Sequence, residues 1–386
     1  MGFEITNQLY LDVSIGGTEV NFDAVTELII VEEPGNVFPS FKLNLVLTDY
    51  TIISEKLNVG QEVQIQIGPN RDESFRYKFD PVKVEVSPGV RARHEYLVKI
   101  TGLLAGADKY FNSRVVGSYD GLSTDVIKNM ASVYVNTAAT PVVATSSADS
   151  MKWISWGLSP RAFVDHLWMH GYKEGSLFVP AITVDGVFRY IDVIDRIHNG
   201  ISSISLAEHG SESSSSDFTF TAPYVSDSSG FLNAWTAQGK SQAVWDLEQG
   251  VYTETDPQSV EGKTKVQSTH TRMQNRMPTA HYTASNQHKD YHKARLSNMK
   301  GLTQFSRVGG SVVIADRTTL GAVKRTISPL DKASLFFQDP NVSEIPSAKS
   351  DPFLSGEYIL TRIVRGYSHS GYYERIHFCR EGHRQI

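Results

Sequence analysis

The segment 353–383 contains two runs of alternating apolar and polar residues, separated by a short polar turn that ends at Gly371. In the second run, Ile376 and Phe378 share one side of an extended chain, while Arg375 lies on the other. A period of two with one apolar face is the pattern of a half-buried antiparallel strand. Gly371 suits the turn because glycine tolerates positive φ. The segment therefore predicts a β-hairpin with one face in a hydrophobic core.

A second segment, 75–104, has the same organisation: a strand, a polar turn that contains glycine, and a strand that begins near a tyrosine. Few residues are identical between the two segments, so the similarity lies in the pattern. Two such hairpins far apart in one chain suggest a duplicated unit. We therefore predict two barrel-like units of one type.

The N-terminal region, residues 1–106, has an all-β pattern. Five short runs alternate apolar and polar residues, and a continuous apolar run at 28–31 adds a sixth strand; turn sequences such as EEPGN and SPG separate the runs. The runs cover residues 9–15, 28–31, 41–47, 63–67, 82–86 and 96–100. Strands with one apolar face must close on themselves or pack on a second sheet, and closure also removes exposed edges. The predicted architecture is a small antiparallel β-barrel.

Residues 107–200 change to a mixed pattern. Apolar residues at helical spacing predict a helix over 120–134, with Asp120 or Ser123 as its N-cap. The segment 136–150 is rich in small residues and is expected to form an exposed loop.

A second helix in this region is predicted to begin at Ser159-Pro160 and to end before Gly171. Serine is a good N-cap, proline suits the first turn, and glycine terminates helices. Short strands over 177–193, around a turn at Gly186, complete a small α+β domain.

Residues 201–386 return to a β pattern, which predicts a second antiparallel barrel. A basic segment, 261–300, interrupts it: eight lysines and arginines stand against two acidic residues, a local excess of +6. Within this segment, residues 290–302 can form a short helix with Tyr291 and Ala294 on one side. The segment lacks regularly interleaved aromatic residues, so docking against an acidic protein partner is favoured over nucleic-acid binding.

The composition is that of an ordinary folded protein. The chain has 386 residues, 40% hydrophobic and 20% charged, which allows two or three domains with a sizeable core. The net charge of −5 argues against a general nucleic-acid binder, which would be basic. The lone cysteine, Cys379, fits assembly in a reducing cytoplasm. The sequence shows no apolar run long enough to span a membrane and no signal peptide, so no membrane anchor is expected.

Two histidine pairs are the strongest candidates for chemistry. His166 and His170 lie four residues apart on a predicted helix, the spacing of the zincin helix, but the glutamate that acts as general base there is missing. His288 and His292 repeat this spacing without an evident third ligand. Cys379 is interpreted as a packed strand residue, and no nucleophile elbow or phosphate loop is present. We therefore predict no catalytic, cofactor-binding or metal-binding residues, no cofactor and no enzymatic activity.

Three segments of the chain resemble parts of a known family. They are FKLNLVLTDYTIISEKLNVGQEVQIQIG at 41–68, the helix-and-strand block at 151–193, and FLSGEYILTRIVRGYSHSGYYERIHF at 353–378. The first, with its Leu57-x-x-Gly60-x-x-Val63 pattern, resembles the first barrel of baseplate hub proteins of contractile phage tails. The last resembles the final hairpin of the second barrel. Late-control D proteins and the hub portion of type VI secretion spikes belong to the same family.

This resemblance implies a structural protein: a homotrimeric ring in which each subunit offers two similar barrels, so that the trimer imitates six-fold symmetry. Such a ring joins a hexameric tail tube to a three-fold central spike and lines the DNA channel. The implied partners are the spike protein, the tail tube or a tube-initiator protein, and baseplate wedge proteins. DNA would pass through the channel without sequence-specific binding. The expected location is the virion tail baseplate, after assembly in the cytoplasm of the host bacterium.

Only three residues follow His383, and we therefore expect that no spike or lysozyme domain is fused at this end and that the spike is a separate protein. Two alternatives remain open. The first is a carbohydrate-binding or glycan-cleaving tail or cell-surface protein, because aromatic patches bind sugars and paired carboxylates need only spatial proximity. The second is a metal-dependent hydrolase built on His166 and His170.

Overall fold

The structure, a computed structural model, describes residues 10–48, 54–55, 60–68, 71–72, 74–88, 95–135, 140–143, 145–202, 204–209, 216–227, 242–246, 251–255, 279–282, 287–317, 327–339, 350–368 and 371–382.

Seven antiparallel strands form the first barrel. They are β1 (Tyr10–Ile15), β2 (Thr18–Val20), β3 (Val25–Glu32), β4 (Ser40–Leu47), β5 (Val63–Gly68), β6 (Phe75–Pro88) and β7 (Tyr96–Leu104). Their order is β3-β4-β7-β6-β5-β1-β2. The short 3-10 helix Phe22–Ala24 lies between β2 and β3 in sequence and contacts both β1 and β4. All six predicted strands are confirmed, and β2 is added.

Alternation along these strands fills the barrel, as the pattern predicted. On β5, Val63, Ile65 and Ile67 are fully buried, while the glutamines between them are only half-buried. Buried residues from β1, β3, β4, β5, β6 and β7 join one hydrophobic core. Burial of these side chains supplies the main driving force for the unit.

The next region mixes helices and short strands. Its elements are α1 (Ala107–Asn112), β8 (Val115–Gly121), α2 (Ser123–Tyr134), β9 (Val142–Val143), β10 (Met151–Leu158), α3 (Pro160–His170), β11 (Phe178–Ile182), β12 (Phe188–Asp192) and α4 (Val193–Asn199). Strands β8 and β10 pair antiparallel, and β11, β12 and β9 form a second small sheet. We refer to these elements as the α+β region.

The helix ends differ in how well the sequence predicted them. Helix α3 begins as expected, because the Ser159 side chain accepts a hydrogen bond from the amide of Ala162. The predicted caps Asp120 and Ser123 of α2 are wrong: the N-cap residue is Leu122, which has no capping side chain. The predicted strand segment 177–193 also ends early, because the Asp192 side chain accepts from the amides that follow it and starts α4.

The rest of the chain contains the second barrel. Its elements are β13 (Ile204–Glu208), β14 (Phe218–Asp227), β15 (Gln242–Asp246), β16 (Val251–Thr255), β17 (Thr279–Tyr282), α5 (Tyr291–Phe305), β18 (Val308–Arg317), β19 (Lys332–Phe336), β20 (Gly356–Ser368) and β21 (Gly371–Arg380). Strands β13-β14-β18-β21-β20-β19 form a ring, which closes through the pairing of β19 with β13. Strands β16-β15-β17 form a separate sheet.

The ring contains strands from both sides of the basic segment: β13 and β14 precede it, and β18 to β21 follow it. Within that segment, the described residues are β17 and the stretch that contains α5, and residues 261–278 and 283–286 lie outside the described residues. The predicted helix is confirmed and continues to Phe305. The boundaries predicted at residues 106 and 200, and the docking role of the basic segment, stay predictions.

In both barrels, a strand glycine lies beside a bulge in the neighbouring strand. Gly102 on β7 lies beside a bulge in β6, and a side chain there would overlap the carbonyl oxygen of Asp80. Gly310 on β18 lies beside a bulge in β14, and a side chain there would overlap the carbonyl oxygen of Tyr224. Glycine in a strand commonly marks such a close backbone approach. This shared pairing of a glycine with a bulge agrees with the prediction of two barrel-like units of one type.

The barrels are joined along their strands. Strand β20 pairs with β21 and β19 in its own barrel and, at its C-terminal half, with β3 of the first barrel. The register places Val364 opposite Val31 and Gly366 opposite Ile29. A single sheet of 13 strands therefore runs through both units. No helix among the described residues is long and apolar enough to cross a membrane.

We expect Ile376→Asp to produce insoluble or strongly destabilised protein, because Ile376 is fully buried in the second barrel and the change places an unpaired charge in an apolar core. The cost is several kcal/mol. Ile65→Asp tests the first barrel in the same way, since Ile65 is also fully buried. The measurement is the soluble fraction and the thermal unfolding midpoint.

The matched control is Arg375→Gln, which changes the preceding, exposed residue of the same strand and should leave both quantities unchanged. A soluble Ile376→Asp protein with a normal midpoint would contradict the assigned core.

Candidate functional site: the junction of the barrels and the α+β region

The two barrels and the α+β region meet at Arg365, a fully enclosed side chain on β20 with 1% of its surface exposed. Its Nε atom donates to Glu374 Oε1 at 3.0 Å on the adjacent strand β21. Its Nη1 atom donates to Glu32 Oε1 on β3 of the first barrel. Its Nη2 atom donates to the carbonyl oxygen of Ile327 at 2.7 Å. All three nitrogens of the guanidinium are thus bonded.

Glu32 extends this junction to the α+β region. Its second oxygen, Oε2, accepts a hydrogen bond from the amide of Val184 at 3.0 Å, in the turn between β11 and β12. Glu32 is 1% exposed, as is Glu374. On the other side, the guanidinium lies over the ring of Phe75 on β6, 5.6 Å from its centroid. Groups from all three parts of the chain therefore converge on one cation.

Burial and neighbouring charges shift the pKa values of this site in opposite directions. Burial alone would lower the pKa of Arg365, but Tyr77, Glu32 and Glu374 outweigh it and raise that pKa well above its ordinary value. Burial raises the pKa of Glu32, and the nearby Arg365 acts in the opposite direction. The guanidinium therefore stays charged, and its two carboxylate partners are needed because an unpaired buried cation is very costly.

A second set of charged contacts joins the α+β region to the second barrel. Lys332 on β19 donates to the carbonyl oxygens of Ile197 and Gly200 at 2.7 Å each, which are free acceptors at the C-terminal end of α4. Arg189 on β12 pairs with Asp331 at 2.8 Å. These contacts are buried, with Lys332 only 2% exposed. The region is thus anchored to both barrels by separate charged contacts.

The junction is suited to holding parts together and not to binding a small ligand, because its charged groups are enclosed and already bonded. The sequence did not single out Arg365 or Glu32. Their sequence separation is 333 residues, so no local pattern could pair them. Charged residues at otherwise apolar strand positions were the one available signal.

Asp149 is another buried carboxylate that sequence reasoning missed, since it lies in the segment predicted to be an exposed loop. It is fully buried and accepts hydrogen bonds from the amide of Ser123 at 2.9 Å and the amide of Tyr172 at 2.7 Å. The hydroxyls of Ser123 and Ser147 also donate to it. Asp149 therefore caps α2 from a distant part of the chain and ties it to the residue that follows Gly171.

The structure brings His166 and His170 of α3 together with His288 and Tyr291, and we call these four residues the histidine–tyrosine contact. The rings of His166 and His170 lie 4.9 Å apart. The rings of His170 and Tyr291 stack at 4.0 Å with an angle of 5° between their planes. The buried indole of Trp153 lies 6.3 Å from His166 and 6.1 Å from His288.

The donor set of this contact does not fit the zinc alternative. Within the part of the chain that the structure describes, no three histidine, cysteine or acidic side chains are placed to hold one metal ion. The phenol oxygen of Tyr291 lies 3.3 Å from His166 Nε2, and the Nδ1 atom of His170 lies 3.1 Å from the Tyr291 carbonyl oxygen. His292 lies beside Tyr291, with ring centroids 5.2 Å apart. The histidines thus serve packing and hydrogen bonding between two helices.

Cys379 is placed as the sequence predicted, in β21, where it packs with Leu177 and Ile359. Burial raises the pKa of its thiol to about 12. The thiolate, which is the nucleophilic form, is therefore disfavoured at neutral pH.

We expect Arg365→Met to lower the free energy of unfolding by about 3–5 kcal/mol, because it leaves two buried carboxylates without their cation. Chemical denaturation measures this change. Arg362→Met is the matched control: it lies on the same strand, 49% of its side chain is exposed, and it pairs with Glu33 at 3.7 Å. Surface pairs contribute about 0–1 kcal/mol, so this variant should remain near wild type.

The triple variant Arg365→Met, Glu32→Gln, Glu374→Gln removes all three charges and should recover part of the loss. An Arg365→Met protein as stable as the Arg362→Met protein would show that the junction does not hold the fold.

No protein-family model matches the chain, and no curated protein matches it in sequence. Solved structures do match. A tail protein from Neisseria meningitidis MC58 superposes with a TM-score of 0.57 at 9% identity, over 97% of each chain. The 43 kDa tail protein of prophage MuSo2 from Shewanella oneidensis superposes with a TM-score of 0.56 at 12% identity, over 97% of this chain and 99% of the other. At these identities the likeness establishes the fold, and the chain therefore folds as these tail proteins do, as the resemblance in its sequence predicted.

Proposed function

We propose that this protein is the structural hub of a phage tail baseplate, a homotrimeric ring that joins a hexameric tail tube to a three-fold central spike. The observation that carries the proposal is that one chain supplies two barrels fused into a single 13-stranded sheet. Three copies of such a chain offer six similar units. A ring of this kind can meet six-fold symmetry on one face and three-fold symmetry on the other.

The junction at Arg365 supports this role. A ring closes only if the angle between successive units is fixed, and a flexible linker between the barrels would leave that angle free. Here the barrels share strand pairing between β3 and β20, and the enclosed Arg365 bonds to both sides of that seam. The paired charges fix one relative placement because any shift would leave a buried charge without a partner.

The partners of this hub would be a separate spike protein, the tail tube or a tube-initiator protein, and baseplate wedge proteins. Its location would be the virion tail, after assembly in the host cytoplasm, and DNA would pass through the ring without sequence-specific contacts. The role is mechanical and needs neither a catalytic group nor a cofactor. The likeness in fold to two tail proteins supports a place in a tail.

A second candidate, a glycan-binding tail protein, is favoured by one observation. Trp156 on β10 is 86% exposed, and the paired residue on β8, Val116, is 75% exposed. A flat exposed indole is a surface on which sugar rings stack. This candidate predicts binding that Trp156→Ala abolishes, whereas the hub predicts no glycan binding.

The hub predicts a particle of three times the 42.9 kDa chain mass in light scattering, with an open centre in negative-stain images. Measurements are made on the protein alone and after mixing with a six-fold tail tube protein. Arg362→Met should form the same rings, whereas Arg365→Met should lose them, because only the second change disrupts the seam between barrels.

A protein that stays monomeric under both conditions would overturn the hub. A glycan screen on the same sample, with wild type and Trp156→Ala in parallel, decides whether the second candidate replaces it.

A further inference from the structure

Helix α5, the described helix of the basic segment, lies against α3 of the α+β region. Tyr291 and Ala294 are buried on its inner side, as the sequence predicted. The Nδ2 atom of Asn298 lies within hydrogen-bonding distance of three carbonyl oxygens at the end of α3, with the shortest separation, 3.0 Å, to Gly171. Asn298 therefore serves the otherwise unpaired carbonyls at the C-terminal end of α3. Helix α5 is therefore docked by specific hydrogen bonds as well as by packing.

The histidine–tyrosine contact forms the other half of this interface. His170 is stacked on Tyr291 and bonded to its carbonyl oxygen, and His288 Nε2 lies 3.1 Å from the carbonyl oxygen of His170. The phenol of Tyr291 reaches His166. Three imidazoles thus lie at the boundary between α3 and the segment that begins α5, and each of them takes part in packing or hydrogen bonding there.

The surroundings of His166 and His170 disfavour a positive charge. Burial lowers the pKa of His170 to about 4; the hydrogen bond to Tyr291 opposes this shift, and His166, Arg295 and His292 reinforce it. Burial also lowers the pKa of His166.

His288 differs, because acidic groups face it. Burial lowers its pKa, while the carbonyl of His170 and the carboxylates of Asp149 and Asp290 oppose that shift. Asp290 also lies 3.9 Å from the ammonium group of Lys293, whose side chain is placed over the ring of Tyr172. Asp149 and Asp290 therefore lie on the His288 side of the interface. Each also contacts another group: Asp149 accepts from the amide of Tyr172, and Asp290 lies near Lys293.

Other charged groups near α3 contact residues outside the histidine–tyrosine contact, and Arg161 of α3 itself lies over the ring of Phe111. Lys109 of α1 donates to the carbonyl oxygen of Val133, Lys152 of β10 pairs with Asp120, and Asp165 of α3 accepts from Asn36.

Two further elements complete the surroundings. Asp125 and Lys128 of α2 are exposed to solvent. Strand β11 has no charged residue.

We propose that the α3–α5 interface is an acid-sensitive latch, in which protonation of His170 and His166 releases α5 from the α+β region. Two imidazolium rings 4.9 Å apart repel each other, and Arg295 and His292 add to that repulsion. Undocking exposes all of these groups to water. Helix α5 would then be docked near neutral pH and released in acid.

The direction of the pH effect follows from linkage. In the docked state these histidines have lowered pKa values, and after undocking they return to about 6.5. Docking is therefore fully stabilised above about pH 6.5 and weakens as the pH falls towards the docked value for His170, about 4. Between these limits the opening constant rises about tenfold per pH unit for each histidine that takes up a proton.

Hydrogen exchange of the full-length protein tests the latch at pH 7.5 and pH 5.0, with rates corrected for the intrinsic effect of pH. Peptides from α5 should lose protection at the lower pH by about tenfold or more. Peptides from β20 and β21 should keep theirs. Equal loss in both sets would overturn the proposal, because acid would then act on the whole fold.

Two substitutions separate charge from packing. His170→Phe keeps a ring to stack on Tyr291, and His170→Gln keeps a hydrogen-bond donor, but neither side chain can be protonated. At least one of them should leave α5 protected at pH 7.5 and reduce its loss at pH 5.0. His209→Gln, at an exposed histidine that follows β13, is the matched control and should behave as wild type. Loss of protection unchanged in both His170 variants would overturn the proposal.

Discussion

The bonds of Arg365 are the constraint on which the arrangement of the three parts depends. The side chain is almost completely buried, and its three nitrogens bond to Glu374, Glu32 and the carbonyl of Ile327. A buried ion cluster is a poor source of stability, since an apolar core of equal volume is often as stable or more stable. The cluster restricts the geometry strictly, because moving any one of its charged groups would leave another buried charge without a partner. The hydrophobic cores drive folding, and the cluster selects how the folded units are placed.

Because the apolar cores drive folding and the ion cluster fixes the placement, pairing between β3 and β20 is sufficient to join the two barrels. Pairing of β3 with β20 alone fixes the distance between strands, but a register slip of one residue would exchange the two faces of each strand. Glu32 lies at the end of β3 and is paired in the ladder with Ile363, two residues from Arg365. A slip would therefore separate the guanidinium from its carboxylate as well as exposing core residues. Apolar alternation and the buried charges select the same register.

The sequence predicted those parts of the fold that depend on local pattern. Period-two alternation located the strands of both barrels, and Ser159 and Gly171 marked the ends of α3. It did not predict the cap of α2, because the capping carboxylate, Asp149, lies 26 residues away in a segment whose small residues indicated an exposed loop. Arg365 and Glu32 were missed for the same reason. The sequence shows the spacing within each histidine pair, but only the docking of α5 shows that the two pairs belong to one interface.

The contacts that build each barrel and the contacts that place the two barrels relative to each other come from different parts of the chain. Each barrel is built from strands of its own region of the chain: the strands of the first lie within residues 10–104, and those of the second lie within residues 204–380. The seam needs strands from both ends of the chain, because β3 lies near the start and β20 near the end. The α+β region, which lies between them in sequence, contacts both through Val184 with Glu32 and Ile197 with Lys332. The placement of the two barrels therefore depends on the start, the middle and the end of the chain together, and removing any one of these parts would remove contacts that fix it.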